Sequence, residues 1–348
     1  MFIFARMKIS KILLYPFSLL YGSVTALRNK SFDHGLKSVL HIDAPVISVG
    51  NLSVGGTGKS PMVEYLITLL KSHYQLTVIS RGYGRKTKGY ILASSNSKAS
   101  EIGDEPKQIL SKFPDISLAV SEKRAIAIQK LFKQKSNQLF ILDDAFQHRY
   151  VDRDVNILLT SADSLFYRDA VLPAGRLREF RKGASRANII IVTKCSDDID
   201  QEKVSKEIGI YNSSAPVFFT KIEYAKVLKS TVNSIVLEDL KSRPLKVISG
   251  IAKPEIFKAY LQKSLGDFDF EIFPDHYQFT SRDIEGFKLF LTTNPEAYIL
   301  TTEKDYSRLL DFDISPEFWS RFYYLEIKTS FIGGDTEFKN CLTSQLDS

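Results

Sequence analysis

Short runs of consecutive apolar residues recur along the chain, separated by segments in which apolar residues return every three or four positions. The runs Val46–Val49, Leu76–Ser80, Ser117–Val120, Leu139–Leu142, Val155–Thr160 and Ile189–Thr193 predict strands. Pro61–Ser72, Lys107–Phe113 and Glu122–Lys133 carry helical spacing. Near-continuous apolar strands alternating with helices predict an α/β fold, a mostly parallel sheet covered on both faces. In such sheets ligands gather at the C-terminal ends of the strands. After about Thr220 the pattern shifts. Tyr224–Lys229 and Ser234–Leu237 predict two short strands, paired as a hairpin. Beyond Arg243-Pro244 a second series begins: strands Leu245–Ser249, Phe268–Phe273, Ala297–Thr301 and Phe322–Ile327, with helices Pro254–Lys263 and Ser281–Leu291. The expected organisation is a larger domain over residues 29–220, a two-stranded hinge over 221–244 and a smaller α/β domain over 245–348.

Residues 1–28 follow a different pattern. No charged residue falls between Ile12 and Leu27, while Arg6, Lys8, Lys11, Arg28 and Lys30 flank the run and the first acidic residue is Asp33. A spanning helix needs about 20 apolar residues. This run is shorter and holds Pro16, Ser18, Gly22, Ser23 and Thr25. Ile9, Leu13, Phe17, Leu20, Val24 and Leu27 form one apolar stripe at helical spacing. A stripe with basic flanks predicts an amphipathic helix lying in the surface of an anionic membrane. An ordinary helix docked on the protein body has the same spacing and remains an alternative. A cleaved signal peptide is excluded, because no small-x-small cleavage site follows and the glycine loop implies the cytoplasm.

That loop follows the first predicted strand. Glycines stand at positions 50, 55, 56 and 58, then Lys59, Ser60 and Pro61 open a helix. Strand, glycine loop and helix start form a layout that binds nucleotide phosphates. Glycines let successive N–H groups turn toward an anion, and the helix N-terminus adds partial positive charge. Ser53, Val54, Gly55, Gly56, Thr57, Gly58, Lys59 and Ser60 are the candidate binding residues, with Lys59 on the phosphates and Ser60 on Mg²⁺. The spacing departs from the common one at Ser53, where a glycine is usual, and at Val54, where a related variant has lysine.

Other candidates follow. Gln138–Asp144 is an apolar strand ending in two carboxylates, Asp143 and Asp144. A carboxylate there, beside a phosphate loop, suits a nucleotide-bound Mg²⁺, which needs only one or two of them. A solvent-facing turn is the alternative. In Gly103-Asp-Glu-Pro106 the residues favour Asp104 as a helix N-cap. The sharper reading makes Asp104 a general base toward a hydroxyl. His276, in Pro274-Asp-His-Tyr-Gln-Phe279, is by itself a weak candidate for orienting a base or touching phosphate. Arg81, Arg85, Arg124, Arg176, Arg178 and Arg181 lie in expected loops. Guanidinium suits phosphate, and a solvated surface is the default for each. Thr193-Lys-Cys-Ser-Asp197 is one residue too long for a guanine-reading motif, so GTP is discounted.

Composition narrows the partners. The 348 residues carry a formal net charge of +7, which suits an anionic partner. No dense Lys/Arg block with interleaved aromatics appears, so nucleic acid is not expected. The two cysteines, Cys195 and Cys341, offer no disulfide framework and no metal motif, which fits a reducing compartment.

The ordered set of segments resembles the tetraacyldisaccharide 4′-kinase family of lipid A biosynthesis. The matching stretches are Gly50-Asn-Leu-Ser-Val-Gly-Gly-Thr-Gly-Lys-Ser-Pro61, Ser80-Arg-Gly-Tyr-Gly84, Gly103-Asp-Glu-Pro106 and Asp143-Asp-Ala-Phe-Gln-His148. Further on come Leu172-Pro-Ala-Gly-Arg-Leu-Arg-Glu179, Thr193-Lys-Cys195, Gly250-Ile-Ala252, Pro274-Asp-His276 and Thr302-Glu-Lys-Asp305. They span nearly the whole chain. The resemblance implies a P-loop NTPase-like domain, a second α/β domain, and a two-stranded hinge that closes around ATP. It also implies transfer of the γ-phosphoryl group to the 4′-hydroxyl of a tetraacylated disaccharide 1-phosphate, at the cytoplasmic face of a bacterial inner membrane. A monomer is expected.

Carried over residue by residue, the resemblance gives Lys59 and the loop amides to the phosphates. Ser60, Glu105 and Asp143 or Asp144 become Mg²⁺ ligands or their supports. Asp104 becomes the general base and His276 its support, Arg124 and Arg178 become phosphate contacts, and Thr302–Asp305 lies near the nucleoside. Ala145 stands where many members have glycine and Arg176 where many have proline. Two rival classes remain. One is a P-loop ATPase switch or assembly factor at a membrane surface, whose dimeric members carry the lysine that Val54 replaces. The other is a P-loop kinase or ligase for a soluble small molecule, against which the basic-flanked apolar N-terminus counts.

Overall fold

The computed structural model describes residues 9–133 and 137–347, with the backbone alone at residues 9–11. In chain order the strands are β1 (Val46–Asn51), β2 (Gln75–Ser80), β3 (Ile91–Leu92), β4 (Ser117–Val120), β5 (Gln138–Asp143), β6 (Val155–Ser161) and β7 (Ile189–Thr193). They continue with β8 (Val217–Lys229), β9 (Ser234–Val236), β10 (Leu245–Ser249), β11 (Asp269–Ile272), β12 (Tyr298–Thr302) and β13 (Phe322–Phe331). The expected strands form close to their expected ends, except that β8 begins at Val217, well before the expected Tyr224.

The sheet of the first half runs β3-β4-β2-β5-β1-β6-β7-β8, parallel except where β3 pairs with β4. Alternate residues of these strands enter different cores. Ile47 and Val49 meet Met62, Leu66 and Ile141, while Val46 meets Phe140, Leu142 and Ile128 on the opposite face. Burial on both faces is why the strands read as unbroken apolar runs. The second half is a parallel set, β11-β10-β12-β13, also covered on both faces.

One continuous sheet runs through both halves. Residues Val217–Phe219 of β8 pair in parallel with β7, and from Thr220 onward the same strand pairs antiparallel with β13. The hairpin with β9 forms, as Val227–Lys229 against Ser234–Val236. The long partner of β8 is nevertheless β13, which arrives about 100 residues later and extends to Phe331. The following helix, Asp335–Leu346, returns to the first half, where Phe338 and Leu342 pack into the core beneath the helix Lys59–Leu70.

The N-terminal helix spans Ile9–Asp33. Arg6 and Lys8 lie outside the described residues, as does the side chain of Lys11. Leu13, Phe17, Leu20, Val24 and Leu27 are each more than 60% exposed (71%, 62%, 66%, 61% and 71%), so the apolar stripe faces away from the protein. The inward face is made of small residues at Ser18 and Gly22, and of Arg28, Asn29 and Phe32 toward its end. Ser18 is buried and its Oγ accepts the Ala174 N–H at 2.9 Å. A Cβ at Gly22 would run into the Phe180 ring, so only glycine allows this approach. A helix docked by its apolar face would show the reverse. Among the described residues, no helix is long and apolar enough to cross a membrane.

Phe338 is fully buried between the chain terminus and the first half. Phe338→Ala is expected to lower stability by about 3–5 kcal/mol in denaturant unfolding. A loss under about 1 kcal/mol would mean that the final helix does not complete this core.

Candidate active site

The phosphate loop joins β1 to the helix Lys59–Leu70. Gly58 adopts φ 79° as the N-cap of that helix and offers no side chain to cap it. Among the described residues, the N–H groups of Gly55, Gly56, Thr57, Gly58, Lys59 and Ser60 meet no acceptor. The Val54 N–H is different: it donates to the Arg176 carbonyl at 2.8 Å, so the open amides begin at Gly55. Ser53 is buried and bridges Leu177. The loop is braced from several sides. Asn51 Nδ2 donates to Thr57 Oγ1 at 2.7 Å, Thr193 Oγ1 to the Thr57 carbonyl at 2.9 Å, and Lys194 Nζ to the Gly56 carbonyl at 2.6 Å. A row of open amides at an uncapped helix start is an anion cradle.

Facing it, β5 ends in the two carboxylates, and their environments differ. Asp143 is fully buried. Its Oδ2 accepts from Ser80 Oγ at 2.9 Å, while its Oδ1 has no partner. Burial, then Glu105 and Asp144, push its pKa up to about 7 against the pull of Lys59. Asp144 is held below the usual carboxylate range. Burial opposes this, but Lys59 and Arg178 outweigh it, with Lys59 Nζ at 3.6 Å and Arg178 Nη1 at 3.0 Å from Oδ1. Asp144 sits at φ 45°, an uncommon backbone for a non-glycine residue. Arg124 holds that turn from behind: its Nη2 donates to the carbonyls of Asp143 and Asp144 at 3.2 and 3.1 Å.

Mg²⁺ fits this set of donors. Asp143 presents a buried carboxylate oxygen with no partner, with Glu105 close enough to repel it. Such a group is stabilised by a cation from outside the chain. Among the described residues no three acidic, histidine or cysteine side chains form a metal cluster. Nucleotide-bound Mg²⁺ does not require one, since phosphates and water complete its shell.

The third group joins the two halves. Gly103, not Asp104, is the N-cap of the helix Asp104–Lys112, so the capping reading fails. The Asp104 side chain instead faces the second half. Its Oδ2 accepts from Arg308 Nε at 2.8 Å and lies 3.3 Å from His276 Nδ1. Arg308 Nη1 continues to Asp305 Oδ1 at 2.7 Å, and Asp305 Oδ2 takes the Gly250 N–H and the Thr302 hydroxyl. Lys304 Nζ lies 3.4 Å from His276 Nε2. The Thr302–Asp305 segment therefore lies beside the candidate base, where a nucleoside contact was expected.

Among the other arginines, Arg176 pairs with Asp169, Arg85 with Glu122, and Arg181 donates to the Asp169 carbonyl. Arg81 is exposed. A cavity of about 580 Å³ flanks the phosphate loop, lined by Asp163, Arg168, Asp169, Ala174 and Arg176, away from Asp104 and His276. Arg308 had no sequence signal. It sits in the last turn of the helix Glu303–Leu309, and its partner lies 204 residues earlier.

Residues 10–347 match the family model described as tetraacyldisaccharide-1-P 4′-kinase. The tetraacyldisaccharide 4′-kinase of Flavobacterium johnsoniae is 43% identical over 336 residues, covering 95% of this chain and 96% of that protein. The one from Bacteroides thetaiotaomicron is 42% identical over 328 residues, covering 89% and 86%. A crystal structure of an "apo" form of LpxK from Aquifex aeolicus in complex with ATP superposes with a TM-score of 0.76 at 31% identity, over 97% of this chain and 100% of that one. The resemblance carried by the glycine loop and the strand-end acids is thus a relationship along the whole sequence, and the chain belongs to the tetraacyldisaccharide-1-phosphate 4′-kinase family.

Proposed function

We propose that Asp104 is the base that prepares the acceptor hydroxyl while the Gly55–Ser60 amides and Lys59 hold the phosphates of ATP. The reaction follows from family membership: an ATP-dependent kinase of lipid A biosynthesis phosphorylates the 4′ position of a tetraacyldisaccharide 1-phosphate. The observation that carries the assignment of roles is the meeting of Asp104 with His276 across the two halves, at 3.3 Å. A carboxylate at a helix start, supported by an imidazole and next to Glu105, which lies close enough to Asp143 to repel it, is placed to receive a hydroxyl proton.

The other residues take separate parts. Asp143 and Ser60 hold Mg²⁺, with Glu105 as support. A magnesium ion there supplies charge neutralisation for the phosphate oxygens. Asp144 is occupied by Lys59 and Arg178, so it orients these two cations toward the phosphates instead of ligating the metal. Arg124 supports the Asp143–Asp144 turn. Positioning and charge placement account for most of the rate in phosphoryl transfer. The two halves act as domains that flex about the β8–β13 pair, and closure excludes water from ATP.

The N-terminal helix rests on an anionic membrane at the cytoplasmic face, and the protein acts there as a monomer. The outward Leu13, Phe17 and Leu20 support this, since a stripe of this kind is stabilised by lipid and not by water.

Asp104→Ala is expected to lower kcat by about 10²–10⁴-fold while ATP affinity is kept. The readout is label from γ-labelled ATP entering the lipid. A full rate removes Asp104 from the mechanism, and label appearing in the parent only as free phosphate favours an ATPase switch. Asp143→Asn is expected to raise the Mg²⁺ needed for half-maximal rate by at least about tenfold, with Asp144→Asn as the comparison. An equal or larger shift in Asp144→Asn would reverse the two roles. Replacing Leu13, Phe17 and Leu20 together by serine is expected to abolish co-sedimentation with anionic vesicles. Unchanged co-sedimentation would place the membrane contact elsewhere.

A further inference from the structure

Two groups reach Asp104, and both contact the same oxygen. Arg308 Nε and His276 Nδ1 both meet Oδ2, at 2.8 and 3.3 Å, and no donor among the described residues reaches Oδ1. The two contacts are unequal. The His276 side chain is 41% exposed, whereas that of Arg308 is 2% exposed and fixed at its other end by Asp305, which is itself fully buried. Asp305 cannot shift easily, because its Oδ2 accepts from the Gly250 N–H at 2.9 Å and from Thr302 Oγ1 at 2.7 Å. The planar guanidinium thus stands between a fixed carboxylate in the second half and the candidate base in the first.

The helices that carry these residues are pinned at more than one point. Helix Asp104–Lys112 lies antiparallel to helix Glu303–Leu309, with Asp104 on Arg308 at one end and Lys112 Nζ 3.2 Å from Glu303 at the other. Ahead of the first helix and beyond the end of the second, the Ala99 N–H donates to Asp311 Oδ2 at 3.0 Å. Lys112 also bonds Glu64 of the helix that starts at the phosphate loop, at 2.7 Å. Parting the halves would take from the Arg308 guanidinium one of its two carboxylates.

We propose that Arg308 is the positioning residue of the base: it holds Asp104 Oδ2 so that Oδ1 is the atom that receives the hydroxyl proton, and it does so only when the halves are together. The proposal rests on the reading of Asp104 as the base. In the step it serves, the acceptor O–H bond breaks and the proton goes to Asp104 Oδ1. The freed electron pair forms the new O–P bond, and the bond from the γ-phosphorus to the bridging oxygen breaks with its pair leaving on ADP. Arg308 touches neither substrate.

The test uses the full-length protein with ATP and tetraacyldisaccharide 1-phosphate in mixed micelles, comparing Arg308→Gln, Arg308→Lys, Asp104→Ala and the double variants. Arg308→Gln is expected to lower kcat by about 10²-fold, as misplacement of a reacting group by about 1 Å does. KM for ATP should stay within about threefold of the parent. Arg308→Lys, which keeps the charge but loses the fork, should fall between the two. Adding either substitution to Asp104→Ala should cost nothing more, because both act through one group. A kcat within threefold of the parent, or a loss that multiplies in full with that of Asp104→Ala, overturns the proposal. Asp104→Ala retaining the parent rate overturns the base assignment itself, whatever Arg308 does. If Arg308→Gln fails to melt cooperatively or to bind ATP, Arg308→Lys is judged by the same two criteria.

Discussion

One backbone ladder, the antiparallel pairing of β8 with β13, keeps the two halves in register, and the site depends on it. Each half supplies only part of the candidate site. The first carries the phosphate loop, Asp143, Asp144 and Asp104, and the second carries His276 and Arg308. A strand pair fixes register, because each bond in it limits sliding and a one-residue slip would turn every side chain to the opposite face. Where the register shifts, between Leu325 and Ile327, Glu326 is buried and meets Lys229 and Lys112. The irregularity in the ladder thus lies beside the charges that tie the helix of Asp104 to the second half.

The two carboxylates that end β5 show how neighbours shift one residue type in opposite directions. Asp143 is buried with an oxygen to spare and is pushed toward protonation, while Asp144, one residue on, is kept ionised by Lys59 and Arg178. The unusual backbone of Asp144 points the pair in different directions, and the Arg124 guanidinium on their carbonyls keeps that turn in place. Arg124, expected among the phosphate contacts, also holds the chain that displays the acids.

Most of the first half was legible because strands buried on both faces leave an unambiguous apolar run, and a glycine loop before a helix has a specific spacing. Legibility fell where a segment has two environments. Residues 217–223 of β8 were missed because Thr220, Lys221 and Glu223 interrupt the apolar pattern of a strand that is only half covered. The helix Asp335–Leu346 buries only Phe338 and Leu342, too few to stand out. Asp104 looked like a cap because local sequence favours local hydrogen bonds. Its real partners, His276 and Arg308, lie 172 and 204 residues away, and no spacing rule reaches that far.

The segment Leu172–Arg186 touches three things at once. It receives the N-terminal helix at Ala174, Phe180 and Glu179. It lines the phosphate loop through the Arg176 carbonyl and the Arg178 N–H, and it reaches Asp144 with the Arg178 side chain. The outward apolar stripe and the phosphate cradle are therefore mounted on one bracket and not joined by a tether. Any force that tilts the N-terminal helix is therefore delivered to the phosphate loop and to Asp144 as well, because the same segment holds all three.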